Sequence, residues 1–230
     1  MNIYGLQKLT LLDFPEHTAC TVFFGGCDLR CPFCHNFPLV DGSAKPVMAE
    51  EVFLDFLQKR VGLLDGVVLS GGEPLLSSEL PELLSKIREA GFLVKIDTNG
   101  LHPAQLEEIL DAGLADYVAM DIKNSLEKYM LTAGVPSIDH SMILQSIQMI
   151  MEKARDYEFR TTVVKEFHEP EDFHEIGKMI RGAKRYFLQA FTMRDTVPGP
   201  ALHTPEKELL LEYAAIAEGY VEHVAVRGVE

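Results

Sequence analysis

The sequence predicts an α/β fold in which a parallel sheet curls into a partial (β/α)6 TIM-like barrel, and three observations carry that prediction. Apolar segments of strand type alternate with segments of helical period through six successive units. Strict alternation requires a parallel sheet with helices outside it. The chain has 230 residues, short of the roughly 250 that a full eight-unit barrel takes. Finally, residues suited to chemistry stand at the ends of the first four predicted strands. A doubly wound sheet shares the alternation, but a barrel gathers every strand end on one rim.

In chain order, residues 3–12 carry Ile3, Leu6, Leu9, Leu11 and Leu12 and read as a short strand or hairpin, with the segment 1–17 packing on the barrel. Thr18–Phe24, rich in β-branched and aromatic types, is a strand. Cys20 lies inside it as a small apolar core residue. Residues 36–47, with Pro38, Gly42 and Pro46, read as loop, and Ala49–Arg60 as a helix with Val52, Phe53, Phe56 and Leu57 on one face. Gly66–Leu69 is wholly apolar, the mark of a strand buried on both faces. Ser78 is placed to cap a helix whose stripe Leu80, Leu83, Leu84, Ile87 stops at Gly91. Then come strand Phe92–Thr98, helix Pro103–Ala112 and strand Asp116–Ile122. Helix 141–154 turns Ile143, Leu144, Ile147 and Ile150 inward. Strand Phe159–Val164, helix Glu171–Ile180 and strand Arg185–Ala190 complete the alternation. A last helix begins at Thr204-Pro205, and Val221–Val226 adds a terminal strand. No repeat or linker divides 1–230, which reads as one domain.

Composition narrows the function. Acidic residues outnumber basic ones 35 to 21, a formal charge of −14, which would repel a nucleic-acid backbone. No apolar run approaches a membrane span of roughly 20 residues, and no signal peptide opens the chain. Three of the four cysteines crowd into eight residues, unlike a secreted disulfide framework, so a reducing cytoplasm is expected.

Those three are Cys27, Cys31 and Cys34, spaced C-x3-C-x2-C. Thiolates so close on one loop can all turn on a single soft-metal centre. An iron–sulfur cube has four corners, so three cysteines leave one iron open for a second ligand. The alternative is a structural zinc completed by His35, although zinc sites usually draw on two separated pairs. No Ser/His/Asp order, HExxH pair or phosphate loop is present.

Cys27-x3-Cys31-x2-Cys34, with Phe33 before the last cysteine, resembles the signature of the radical S-adenosylmethionine (SAM) enzymes, and Gly71-Gly72-Glu73-Pro74 resembles that family's second motif. Cys34-His35-Asn36, Asp97-Thr98-Asn99-Gly100 and Asp121-Ile122-Lys123 resemble the activating enzymes of glycyl-radical enzymes. The opening Gly5-Leu6-Gln7-Lys8 to Asp13-Phe14-Pro15 and Phe23-Phe24-Gly25-Gly26-Cys27 are most similar to the anaerobic ribonucleoside-triphosphate reductase activating branch.

This resemblance implies a barrel open at the side. It implies a [4Fe-4S] cluster on Cys27, Cys31 and Cys34, with SAM on the open iron. Phe33, Cys34 and His35 would present backbone to the adenine; taken alone, Phe33 reads as a plain core aromatic. Gly71 and Gly72 would let backbone approach SAM, and Glu73 would hold its ammonium. The alternative for Glu73 is an exposed helix-start carboxylate. Asp97 and Asp121 would bind a monovalent cation near the SAM carboxylate, with Lys123 completing the corner; the alternative is strand ends meeting solvent. Arg160, Lys165 and Gln189 lie on or beside predicted strands five and six and read as structural, with contact to SAM or the substrate as the alternative. The implied activity is hydrogen abstraction from a glycine of a partner, the anaerobic ribonucleotide reductase, fed by an external donor such as flavodoxin or ferredoxin. The alternatives are a formate-lyase-type partner, a small deazapurine-like substrate, or a zinc-binding interaction module.

Overall fold

The computed structural model describes residues 1–229. Its strands are β1 (Asn2–Ile3), β2 (Gly5–Thr10), β3 (Ala19–Phe24), β4 (Met48–Ala49), β5 (Gly66–Gly71), β6 (Leu93–Thr98), β7 (Tyr117–Asp121), β8 (Tyr157–Val163), β9 (Tyr186–Ala190) and β10 (Val224–Arg227). Its helices are α1 (Phe37–Val40), α2 (Glu50–Gln58), α3 (Leu80–Glu89), α4 (Pro103–Asp111), α5 (Tyr129–Ala133), α6 (His140–Lys153), α7 (Pro170–Met179) and α8 (Lys207–Ala217).

The main sheet runs β10-β9-β8-β7-β6-β5-β3-β2. From β3 to β10 every neighbouring pair is parallel; β2 adds to β3 antiparallel. Each parallel strand lies beside its predecessor, so the order never reverses as it does at a doubly wound switch point. Right-handed crossovers that all step the same way put their helices on one face, which is how a barrel winds. The edges β10 and β2 do not pair, and the barrel stays open at the side.

Packing follows the apolar pattern. Val67, Val68 and Leu69 are fully buried between the two faces of the sheet, as are the stripe residues of α3 on its inner side. Cys20 joins the same core at 0% exposure. α7 opens on a capping box between Glu169 and Asp172, which satisfies two backbone donors that the helix itself cannot.

Several local expectations need correction. α1 interrupts the expected loop, with Pro38 in its first turn, where a missing N–H costs nothing. α5 was not anticipated; it ends at Gly134, whose φ of 68° gives the helix a left-handed stop. Ser78 does not cap α3: the N-cap is Glu79, whose N–H is taken by the Ser77 hydroxyl at 3.3 Å. α8 begins two residues after Pro205. Leu9, Leu11 and Leu12 are exposed rather than packed, and the opening segment contributes β2 to the sheet edge. Among the described residues, no helix is long and apolar enough to cross a membrane.

Candidate active site

The cysteine loop leaves β3 through Gly25 and Gly26 and is tied down along its length. Gly26 donates to the Leu39 carbonyl at 2.8 Å, Arg30 N–H to that of Ala133 at 2.9 Å, and Gly199 N–H to that of Pro32 at 2.8 Å. Cys27, Cys31 and Cys34 line one cavity at the C-terminal ends of the strands, the rim where a barrel places its chemistry. The same cavity is lined by Gly71, Gly72 and Glu73 after β5, Asp97 to Asn99 at β6, Asp121 and Lys123 at β7, and Arg160 at β8. Phe33 and His35 also line it, and the Phe33 ring packs against Phe167 at 6.2 Å.

All three thiols are free. Burial pushes Cys27 up to about 12 and Cys31 up to about 11, and raises Cys34 too. They are therefore protonated at neutral pH, and a metal centre binding them as thiolates would release protons. The Leu29 N–H already points at Cys27 Sγ, 3.4 Å away. Soft sulfur donors on one short loop fit an iron–sulfur cluster. The zinc alternative needs a fourth ligand beside these three. His35, the expected fourth ligand, has Nε2 engaged by the Thr192 carbonyl at 2.6 Å and its ring stacked on Phe191.

Glu73 is 2% exposed, not the solvent-facing carboxylate of the alternative reading. Its oxygens accept from Leu75 N–H at 3.1 Å, Thr98 Oγ1 at 2.9 Å and Asn99 N–H at 2.7 Å, lashing the ends of β5 and β6 together. An ionised carboxylate has about four acceptor positions, so one more donor can be taken. Burial nevertheless raises its carboxyl to about 7 against these three donors. Because that lies above the ordinary value of 4.5, the folded state holds a proton that the unfolded chain has lost. This group's contribution to stability should fall as pH rises from about 4.5 to about 7. Urea titrations of the apoprotein across that window should show the slope, and Glu73→Gln should flatten it.

Asp97 and Asp121 do converge, and what they converge on is Arg160. Its Nε donates to Asp121 Oδ1 at 2.9 Å, and its terminal nitrogen lies 3.4 Å from Asp97 Oδ1. Lys95 Nζ donates to Asp97 at 2.5 Å and Lys123 Nζ to Asp121 at 3.2 Å. Burial alone would raise both carboxyls; Arg160 and the lysines hold Asp97 below its usual range and Asp121 down to about 2. The two carboxylates keep 17% and 29% exposure, so these strand ends meet solvent only in part and are chiefly paired with cations.

Arg160 thus belongs to the cavity, while Lys165 is exposed and Gln189 sits opposite Arg227 in the β9–β10 ladder. Lys95, 1% exposed, went unnoticed in sequence; the available signal was its parity with Asp97, two residues on and on the same face. Asn99 is also tied into the site. Its side chain donates to Asp28 Oδ1 at 3.0 Å and approaches Cys27 Sγ at 3.8 Å, and His102 reaches Asp28 from the other side at 2.7 Å.

An open parallel barrel whose rim combines three free cysteines, a glycine turn and a carboxylate corner carrying one excess positive charge suits a sulfur-ligated cofactor beside an anionic group. The family model of the radical SAM superfamily matches residues 21–186. A protein of Methanocaldococcus jannaschii named as a glycyl-radical enzyme activating enzyme is 32% identical over 98% of this chain and 95% of its own. The pyruvate formate-lyase-activating enzyme of Clostridium pasteurianum is 37% identical over 54% of this chain and 52% of its own. The structure of Streptococcus suis SuiB bound to S-adenosylmethionine superposes with a TM-score of 0.67 at 16% identity, covering 91% of this chain and 52% of that one. The chain belongs to the radical SAM superfamily, among the glycyl-radical enzyme activating enzymes, and it is an enzyme of that class. The family's cofactors are a [4Fe-4S] cluster and SAM.

Proposed function

We propose that this enzyme abstracts a hydrogen atom from a backbone glycine of a large partner enzyme, the anaerobic ribonucleotide reductase, in a cytoplasm of low oxygen. The observation that carries the reading is the cavity itself. It joins three cysteines to a charged corner on the rim of a barrel open at the side, so that a protein loop can reach it. The activating-enzyme name of the near-full-length relative supports the same class of partner. An external donor such as flavodoxin or ferredoxin supplies the electron.

In this reading Cys27, Cys31 and Cys34 hold the cluster and leave one iron for SAM. When bound, the cluster would supply SAM with the electron for its reductive cleavage, and so the means of taking a hydrogen atom from the glycine. Glu73 takes the methionyl ammonium as its fourth donor. Gly71 and Gly72 allow close backbone approach. The segment Phe33 to His35 presents backbone to the adenine, fixed by Thr196, whose hydroxyl donates to the His35 carbonyl at 2.7 Å. Lys123 and Arg160 meet the methionyl carboxylate. A monovalent cation at Asp97 and Asp121 belongs to the same proposal; Arg160 spans those carboxylates, so the ion would bind only with the guanidinium displaced.

The test is anaerobic incubation of reconstituted enzyme with SAM, a reductant and the reductase. A glycyl radical by electron paramagnetic resonance (EPR), matched by 5′-deoxyadenosine, is the expected result. Deoxyadenosine without a radical on the reductase, but with one on a formate-lyase-type enzyme, would move the partner assignment. Its appearance with neither protein would overturn the glycine reading.

A further inference from the structure

Glu158, on β8, is 1% exposed, and three side chains surround its carboxylate. Arg227, on β10, donates to both oxygens at 3.0 Å, and the Tyr117 hydroxyl donates to Oε2 at 3.0 Å. The third is Arg160, whose terminal nitrogen stands 3.9 Å from Oε1. Residues two apart on a strand share a face, so Glu158 lies on the same wall as Arg160, one step further from the rim. It lines a second cavity, with Tyr117, Arg185 and Arg227, that shares no residue with the one holding the cysteines.

The Arg160 guanidinium is therefore contested. The same terminal nitrogen lies 3.4 Å from Asp97 and 3.9 Å from Glu158. It leans toward Asp97 because Glu158 is already served by a planar fork that matches both its oxygens. That fork is itself held in place. The Arg227 guanidinium carbon lies 3.3 Å from the centre of the Phe187 ring, a cation over a π face, and Arg227 sits opposite Gln189 in the β9–β10 ladder.

Loss of Arg227 would tip this balance one way. A buried carboxylate without its cation is strongly unfavourable, and the Glu158 side chain is only 2% exposed. The cation still beside it is Arg160, since among the described residues these two guanidiniums alone pair with Glu158. Arg160 is also the cation that the rim gives up most easily, because Asp97 keeps Lys95 and Asp121 keeps Lys123.

We propose that Arg227 is a positioning residue for SAM: by occupying Glu158 it keeps Arg160 at the rim, where the guanidinium meets the methionyl carboxylate. The inference rests on the reading of Arg160 as a SAM contact, so its test measures the position of Arg160 separately from SAM.

The first readout is the Arg160 Nε–H resonance of the apoprotein in nitrogen-15 NMR, assigned by its absence in Arg160→Lys. Nε donates to Asp121 at 2.9 Å, so its resonance should move in Arg227→Leu as the guanidinium turns toward Glu158. The second is equilibrium dialysis of SAM with reconstituted enzyme, which should bind about tenfold more weakly, the low end for a lost hydrogen bond to a charged group. Adding Glu158→Gln to Arg227→Leu removes the competing charge and should restore both readouts; a merely structural Arg227 would leave the double variant as impaired as the single one. Arg155→Leu is the charge control. Its side chain is 74% exposed and pairs with Asp116, which keeps Arg88, so neither readout should move. Should Arg227→Leu not fold, Arg227→Lys keeps the charge without the fork and should shift both readouts the same way by less. An unmoved Arg160 resonance, or a double variant that recovers nothing, would overturn the proposal. A moved resonance with unchanged SAM affinity would support the positioning of Arg160 and count against its contact with the methionyl carboxylate.

Discussion

Gly72→Ala is expected to abolish both cluster retention and SAM binding, and to cost about 3 kcal/mol of stability, the upper end for overpacking. A Cβ at position 72 would lie 1.8 Å from the Gly26 carbonyl oxygen and 2.7 Å from its carbon. Neither neighbour is a flexible side chain that can swing away. The two turns are also laced together, Gly72 N–H to the Phe24 carbonyl at 2.9 Å and Glu73 N–H to that of Gly26 at 2.8 Å. Admitting a methyl group means parting them by more than an ångström, which breaks the Gly26 bond, lifts the cysteine loop and drags Glu73 from its donors. Visible absorbance of reconstituted protein, equilibrium dialysis of SAM and urea unfolding read the three effects. Gly219→Ala is the control: its Cβ would meet only the Ile216 carbonyl oxygen, at an ordinary 3.6 Å, so none of the three should move. Wild-type cluster content in Gly72→Ala would show that the turns can part without loss.

That contact also shows what can be read in sequence and what cannot. Cys27, Cys31 and Cys34 act from one loop, so spacing alone announces them. Gly71-Gly72-Glu73 is local too, although the fact that Gly72 must be glycine is visible only once β3 and β5 are paired and Gly26 lies across from it. The charged corner is wholly non-local. Arg160 and Asp121 are register partners across β7 and β8, while Asp97 stands one strand further on, 63 positions away in the chain. The strand-helix alternation and the winding order were legible because each strand or helix carries its own period. α1 and α5 are too short for a period, and Pro38 signals a break as readily as a first turn. Leu9 in β2 and Leu11 and Leu12 in the bend after it misled because a single apolar residue costs little when it stays exposed.

Removing the side chain at the centre of that corner should be the costliest single loss of charge in the protein. Arg160→Leu takes one guanidinium from Asp121 at 2.9 Å, Asp97 at 3.4 Å and Glu158 at 3.9 Å. Breaking a buried ion pair from one side costs about 3–5 kcal/mol, because the remaining charge is left in a poor solvent. Here each carboxylate keeps a second partner: Lys95 for Asp97, Lys123 for Asp121 and Arg227 for Glu158. The loss should therefore fall near the low end, about 3 kcal/mol by urea unfolding. The effect on binding follows from charge balance. Lys95, Lys123, Arg160 and Arg227 face Asp97, Asp121 and Glu158, an excess of one positive charge that a methionyl carboxylate would neutralise. Without Arg160 the corner is already neutral, and SAM should bind at least about tenfold more weakly even where the variant is folded. Arg160→Lys restores the charge but lacks the planar fork that reaches Asp97 and Asp121 together. It should recover SAM affinity more fully than stability. Equal recovery of both would mean that the corner needs only a positive charge, whatever its shape, and the bridging geometry would lose its role.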